Sequence, residues 1–246
     1  MKKNYKFILT YDGTKYYGWE HQPKIDETIQ GKIENVLSKM SEEDIEVIGC
    51  GRTDAGVSAK GYVCNARLDE SFDPNYVRDY LNRYLPDNIC VDSCIIASDR
   101  FHSRYNAVGK TYRYTCYIGD TKPVFDRKYV YALEFKPDIE AMKAAAAILI
   151  GEHDFASFCS NPKMKKSTVR RVDSIDIKVD GDYLTFTYHG SGFLQHMVRI
   201  MTGTLLEVGE GKRDASSMRE LIEARERAKA GACAPAHGLC LIKVDY

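Results

Sequence analysis

Gly51-Arg52-Thr53-Asp54-Ala55-Gly56 sets one carboxylate in a glycine-bracketed turn, two residues after an arginine and directly after a strand-like run. Glycines let such a turn take backbone conformations closed to other residues and let a ligand approach the main chain. Arg52 carries a planar fork of donors that matches a phosphate or a base edge. A carboxylate held this way suits nucleophilic or acid–base chemistry. The same composition also builds an Asx-type turn in which Asp54 caps its own loop.

Two further stretches combine residue types that do chemistry. In Gly192-Phe193-Leu194-Gln195-His196-Met197-Val198-Arg199, a helix beginning near Gln195 turns Met197, Ile200, Met201 and Leu205 toward a core, with Arg199 on the same side of its first turn. The helix macrodipole opposes a cation there, so Arg199 calls for a carboxylate partner or else snorkels to the surface. Lys110-Thr111-Tyr112-Arg113-Tyr114 interleaves aromatic and basic residues on a strand-like run, where tyrosines also serve plain packing.

Glycine-rich decoys fail on spacing. Gly49-Cys50-Gly51 lacks the third glycine of a dinucleotide fingerprint, and Gly209-Glu210-Gly211-Lys212 lacks both the earlier glycine and the following Ser/Thr of a phosphate loop. The eight cysteines are scattered with no Cys-x-x-Cys pair, and the six histidines form no His-Glu-x-x-His pattern. The expectation is reduced thiols in a cytoplasmic protein, with no metal and no cofactor.

The elements that must position these residues follow from periodicity. Tyr5 to Tyr11 reads as a strand, and Ile29, Ile33, Val36, Leu37 and Met40 fall at helical spacing. Strand-like runs Ile45 to Cys50 and Gly61 to Leu68 flank the Asp54 turn. Asp73-Pro74 is a strong helix start, and Ile89 to Ala97 returns as a strand. The order is β-α-β-β-α-β, the ferredoxin-like arrangement. The second half repeats it with Thr111 to Ile118, a helix from Pro137-Asp138, a hairpin through Asp180-Gly181-Asp182, helices from about His196 to Val208 and Ser216 to Ala230, and a last strand Leu239 to Val244. The reading is α+β: two ferredoxin-like halves, 1–105 and 106–246, expected to join into one extended mixed or antiparallel sheet with helices on one face and a central cleft.

The strings GRTDAGV, KTYRY and GFLQHMVR followed by GTLLEVGEGK, with FHSR at 101–104 and GLCLI at 238–242, resemble in order the signatures of the tRNA pseudouridine synthase A family. The resemblance runs from Tyr11-Asp12-Gly13 to Tyr246. It implies Asp54 as catalytic nucleophile on a flipped-out uridine and Arg199 as the arginine that pairs with it. It further implies Tyr112 as the aromatic that stacks on the target base and Arg52 as the residue that enters the gap left in the RNA. The implied substrate is tRNA, at uridines 38, 39 and 40 of the anticodon stem-loop, bound across a homodimer. Ser58, Cys50, Gln195 and Ile200 depart from the usual family pattern, whereas Asp54, Arg52, Tyr112 and Arg199 keep it.

Bulk charge is uninformative, with 35 basic and 35 acidic residues. Local fields are not: Arg100, Arg104, Lys110 and Arg113 form one acid-free basic stretch, and Lys163, Lys165, Lys166, Arg170 and Arg171 form another. Arg100, Arg104, Lys165, Lys166 and Arg170 are the candidate tRNA contacts. No window of the sequence reaches membrane-spanning length, and the first residues lack the apolar run of a signal peptide. Two other classes compete: a non-catalytic RNA-binding module, for which the signature begun at Lys60-Gly61-Tyr62 is broken, and a carboxylate-pair hydrolase, for which the sequence nominates no second acid.

Overall fold

The computed structural model describes every residue except Pro162, Lys163 and Lys165. Lys163 and Lys165 of the second basic stretch, the latter a candidate tRNA contact, therefore lie outside the described residues. The protein is α+β and divides into two compact units, 1–108 with 240–246, and 109–239.

The first unit contains β1 (Lys2–Tyr11), α1 (Ile29–Ser41), β2 (Val47–Gly49), β3 (Ser58–Asp69), α2 (Pro74–Tyr84) and β4 (Ile89–Ala97). The expected β-α-β-β-α-β order is present, with strands arranged β4-β1-β3-β2 and every one of these pairings antiparallel. Alternation along β1 sets the face: Tyr5, Phe7, Leu9 and Tyr11 are at most 2% exposed, while Lys6, Ile8 and Thr10 between them stay half-buried. Ile29, Ile33 and Leu37 of α1 and Val77 and Leu81 of α2 are fully buried, one stripe per helix at the spacing read from the sequence. Both helices begin where side chains can accept their first N–H groups. Thr28 caps α1 through Gly31 N–H, and Asp73 caps α2 through the N–H groups of Asn75 and Tyr76.

The second unit contains β5 (Gly109–Tyr117), β6 (Tyr131–Ala132), α3 (Ile139–Ile148), β7 (Gly151–Asp154), β8 (Val169–Asp180), β9 (Tyr183–Gly190), α4 (Met197–Gly209) and α5 (Ser217–Ala224). Its strands run β5-β9-β8-β7, antiparallel throughout, with β6 parallel beside β5. Strand β7 is a short polar edge with no alternation to reveal it, and β6 has only two residues. Helix α5 is shorter than its periodicity suggests, because Arg225 turns left-handed at φ 54°. A tertiary bond explains the stop: Ser157 Oγ donates to Leu221 O at 2.6 Å and accepts Glu226 N–H at 2.8 Å, drawing the chain out of the helix.

The last strand, β10 (Leu239–Asp245), groups with the first unit from Cys240 onward. It pairs in parallel with β3 through Cys240 opposite Ser58 and Leu241 opposite Ala59, and Val108 N–H donates to Asp245 O at 2.9 Å. The packing boundary therefore differs from the 105/106 division read from the sequence. Leu239, Leu241 and Val244 specify an amphipathic strand, but nothing local in them specifies its neighbour.

Candidate active site

Asp54 sits in the connection between β2 and β3, and its surroundings in the first unit hold the main chain from several sides. The turn Asp54-Ala55-Gly56-Val57 is closed by Val57 N–H donating to Asp54 O at 3.1 Å. Gly56 has φ 82°, the positive value that a type II turn requires at its third position. Before the turn, Tyr62 Oη donates to Gly51 O at 2.5 Å, and the Tyr11 hydroxyl bonds Thr53 Oγ1 at 2.9 Å. Thr53 O accepts Trp19 N–H at 3.2 Å, and Gly56 N–H donates to Tyr16 O at 3.2 Å. Beneath these contacts the Trp19 and Tyr62 rings stack at 4.0 Å, and Tyr11 leans on both. Burial pushes the Tyr62 phenol well above its ordinary value, so it remains a donor to Gly51.

The result is a half-buried Asp54 carried by a braced turn, with Thr53 buried before it and Val57 buried after it. Arg52 points outward, exposed, with Nη2 2.7 Å from Glu20 Oε1. An exposed pair of this kind contributes little to stability and leaves the guanidinium near the surface.

In the second unit Tyr112 lies on β5 opposite Tyr188 of β9, half-buried, and meets the Phe193 ring edge-on at 5.4 Å. Arg199 occupies the first turn of α4. Its Nε donates to Ala234 O at 2.8 Å while its own carbonyl accepts Ala234 N–H at 3.1 Å, so the segment after α5 fixes the guanidinium's stem. The helix behind it is buried almost all round, and the buried Tyr188 and Thr202 hydroxyls bond at 2.8 Å. Tyr114, two residues from Tyr112 on the same strand, donates its hydroxyl to Pro235 O at 2.8 Å, and burial raises its pKa.

A family model described as tRNA pseudouridine synthase matches residues 8–106 and 145–246. Among curated relatives, tRNA pseudouridine synthase A of Bacillus sp. strain KSM-64 is 44% identical over 243 residues, covering 99% of both chains. tRNA pseudouridine synthase A 1 of Clostridium tetani is 46% identical over 244 residues, covering 99% of this chain and all of the relative. The chain belongs to the tRNA pseudouridine synthase family. It is a family of isomerases. Asp54, Arg52 and Arg199 lie inside the matched stretches of this pseudouridine synthase model, whereas Tyr112 falls in the interval between them.

The candidate RNA contacts of this family member are distributed over both units. Arg100 and Arg104 are exposed in the first, and Lys166 is exposed in the second. Arg170 is half-buried, its Nη1 donates to Ser167 O and Val169 O, and burial lowers its pKa.

Sequence reasoning passed over the scaffold of the Asp54 turn: Tyr11 and Tyr62 fall within strand-like runs, and Trp19 carries no signal of its own. Gly18 is the clearest omission. It has φ 95°, and a Cβ there would lie 2.5 Å from Thr53 O and 3.2 Å from the Asp54 carbonyl carbon. Its place beside Trp19 and downstream of Tyr11-Asp12-Gly13 was the available signal. We expect Gly18→Ala to displace the Asp54 turn, lowering kcat about 10²-fold through misplacement of about 1 Å. RNA affinity should change by less than about threefold. Parallel single-turnover and binding assays check this, and an unchanged kcat would contradict the contact.

Proposed function

We propose that this chain isomerises uridine to pseudouridine in the tRNA anticodon stem-loop, at positions 38, 39 and 40, with Asp54 as the nucleophile. The observation that carries the reading is the braced, half-buried turn that presents Asp54, in a chain belonging to this family. The reaction breaks the C1′–N1 bond, turns the freed uracil and joins C1′ to C5. The C5 proton leaves and N1 gains one, so the balance closes without an external oxidant or reductant.

Asp54 attacks the flipped nucleotide at ribose C1′, or assists glycal formation there, or attacks at uracil C6; both carbons are electrophilic enough for a carboxylate. Arg199 supplies the positive charge that keeps Asp54 ionised when bound RNA excludes water, since a nearby cation favours the carboxylate form. Tyr112 holds the freed base and is the candidate for moving its proton, with Phe193 edge-on behind it. Arg52, exposed and paired with the surface Glu20, fills the space left in the RNA stack, where unstacking costs a few kcal/mol. Arg100, Arg104, Lys165, Lys166 and Arg170 contact the RNA backbone, so binding weakens steeply with salt. The acting species is a cytoplasmic homodimer.

Incubating the purified protein with unmodified tRNA and mapping carbodiimide-stable adducts tests the reading. Adducts at 38, 39 and 40 are expected, and their absence from all three overturns it. Arg199→Leu should lower the single-turnover rate about 10³-fold, the scale of losing one transition-state electrostatic contact. Its tRNA affinity should stay within about threefold of the parent's. An unchanged rate would reject the role given to Arg199.

A further inference from the structure

The basic stretch at residues 100–104 ends in a turn whose construction goes beyond placing charge. His102 Nδ1 accepts two main-chain hydrogen bonds, from Arg104 N–H at 3.1 Å and Tyr105 N–H at 3.3 Å. A ring nitrogen that accepts twice carries no proton, so the neutral ring holds its hydrogen on Nε2. The turn is closed from the other side by Asn106, whose Oδ1 accepts His102 N–H at 2.6 Å and whose N–H donates to His102 O at 3.0 Å.

Ser103, between the two outward residues and the ring that caps them, is fully buried. Its N–H and hydroxyl both donate to Asn65 Oδ1, at 3.0 and 2.5 Å, and its carbonyl accepts the Tyr246 hydroxyl at 2.8 Å. Asn65 in turn donates to Asn4, which donates to the carbonyls of Ser98 and Phe101. The segment is thus tied to the core of the first unit while Arg104 and Tyr105 project outward. Tyr105 is 74% exposed, and its ring centroid lies 4.2 Å from that of the His102 ring, the two rings tilted by 37°. A rigid aromatic face beside an arginine, in an acid-free basic stretch, fits an unpaired nucleobase and its phosphate.

Resting on the tRNA reading above, we propose that Tyr105 stacks on an unpaired base of the RNA substrate and Arg104 meets the adjoining phosphate. His102 is the positioning residue, holding both through its two accepted hydrogen bonds.

The test uses the full chain carrying Asp54→Asn, so that affinity is read without turnover. Two fluorescent RNAs serve as probes: an anticodon stem-loop with unpaired loop bases, and a blunt duplex of the same stem. On the stem-loop, Tyr105→Ala should raise Kd about tenfold while Tyr105→Phe stays within about twofold, because a phenyl ring still stacks. On the duplex neither should matter. Arg104→Gln should lower the slope of log K against log salt by about one, and Tyr105→Ala should leave that slope unchanged. His102→Ala should raise Kd about fivefold on the stem-loop, and His102→Asn should recover most of the loss, because an amide oxygen can accept the same N–H groups. An unchanged stem-loop Kd for Tyr105→Ala, or an equal penalty on the duplex, overturns the stacking. Failure of His102→Asn to recover overturns the positioning role. If the Asp54→Asn parent binds neither RNA, the tRNA reading itself fails, an outcome distinct from these.

Discussion

Asp54→Asn is expected to bind unmodified tRNA within about threefold of the parent and to make no detectable pseudouridine. The amide has the shape of the carboxylate, and the Asp54 turn is closed by its own main chain, through Val57 N–H on Asp54 O and the positive φ of Gly56. Around it, Tyr62 on Gly51, Tyr11 on Thr53 and Trp19 on Thr53 make bonds that do not involve the substituted atoms. The turn itself should therefore keep its fold. What is lost is the anionic oxygen, and removing the nucleophile of an enzyme typically lowers the rate by about 10⁴-fold or more. Quantifying pseudouridine after nuclease digestion, beside a filter-binding curve at one salt concentration, separates the two readouts. Retained turnover would show that another group attacks the nucleotide.

The second large effect concerns stability in alkali. The described core holds five buried cysteines, and burial raises three of them, Cys64, Cys94 and Cys116, above the ordinary value of 9.0, Cys94 to about 12. It also holds the phenols of Tyr62, Tyr114 and Tyr188, raised above 10.0 by the same loss of solvation. A group whose folded pKa is raised keeps its proton in the folded state at a pH where the unfolded chain has released it. The folded state then binds more protons, so unfolding free energy falls as pH rises. The contribution is fully present below pH 9 and is lost on moving up toward the folded values. Each group contributes about 1.4 kcal/mol per pH unit, so three thiols give about 4 kcal/mol per unit above pH 9, with the phenols adding to this above pH 10. Against a typical total of about 10 kcal/mol, the protein should unfold near pH 11. Urea titrations at pH 8, 9, 10 and 10.5 read the slope directly. Cys116→Val, which removes one of these thiols while filling much of the same space, should flatten the slope above pH 10 by up to about 1.4 kcal/mol per pH unit. Stability constant from pH 8 to 10.5 would contradict the burial argument.

Much of the fold was legible because it is local. The apolar alternation at Tyr5, Phe7, Leu9 and Tyr11, the helical spacing of Ile29, Ile33 and Leu37, and the Asp73-Pro74 start each specify an element without help from distant residues. Helices α3 and α4 begin within two residues of where Pro137-Asp138 and the Gln195-His196 pair place them. Strand β7 and the early end of α5 were not legible, since one is a polar edge strand and the other is set by Ser157 bridging Leu221 and Glu226.

For the candidate site, the amino-acid order alone nominated the residues: a glycine-bracketed Asp54 with Arg52 two positions before it, an arginine at the head of a helix and a tyrosine on a strand. Those are statements about residue type and neighbours in the chain, and chemistry of that kind is written locally. Only the tertiary structure decided what holds Asp54 in place, because Gly18, Trp19 and Tyr62 reach its turn from separate segments whose own sequence signals are plain packing. It also decided that β10 joins β3 and that Ser103 is anchored through Asn65 and Tyr246. Contacts between segments distant in the chain form only when folding aligns whole strands, and no short window of residues encodes that alignment.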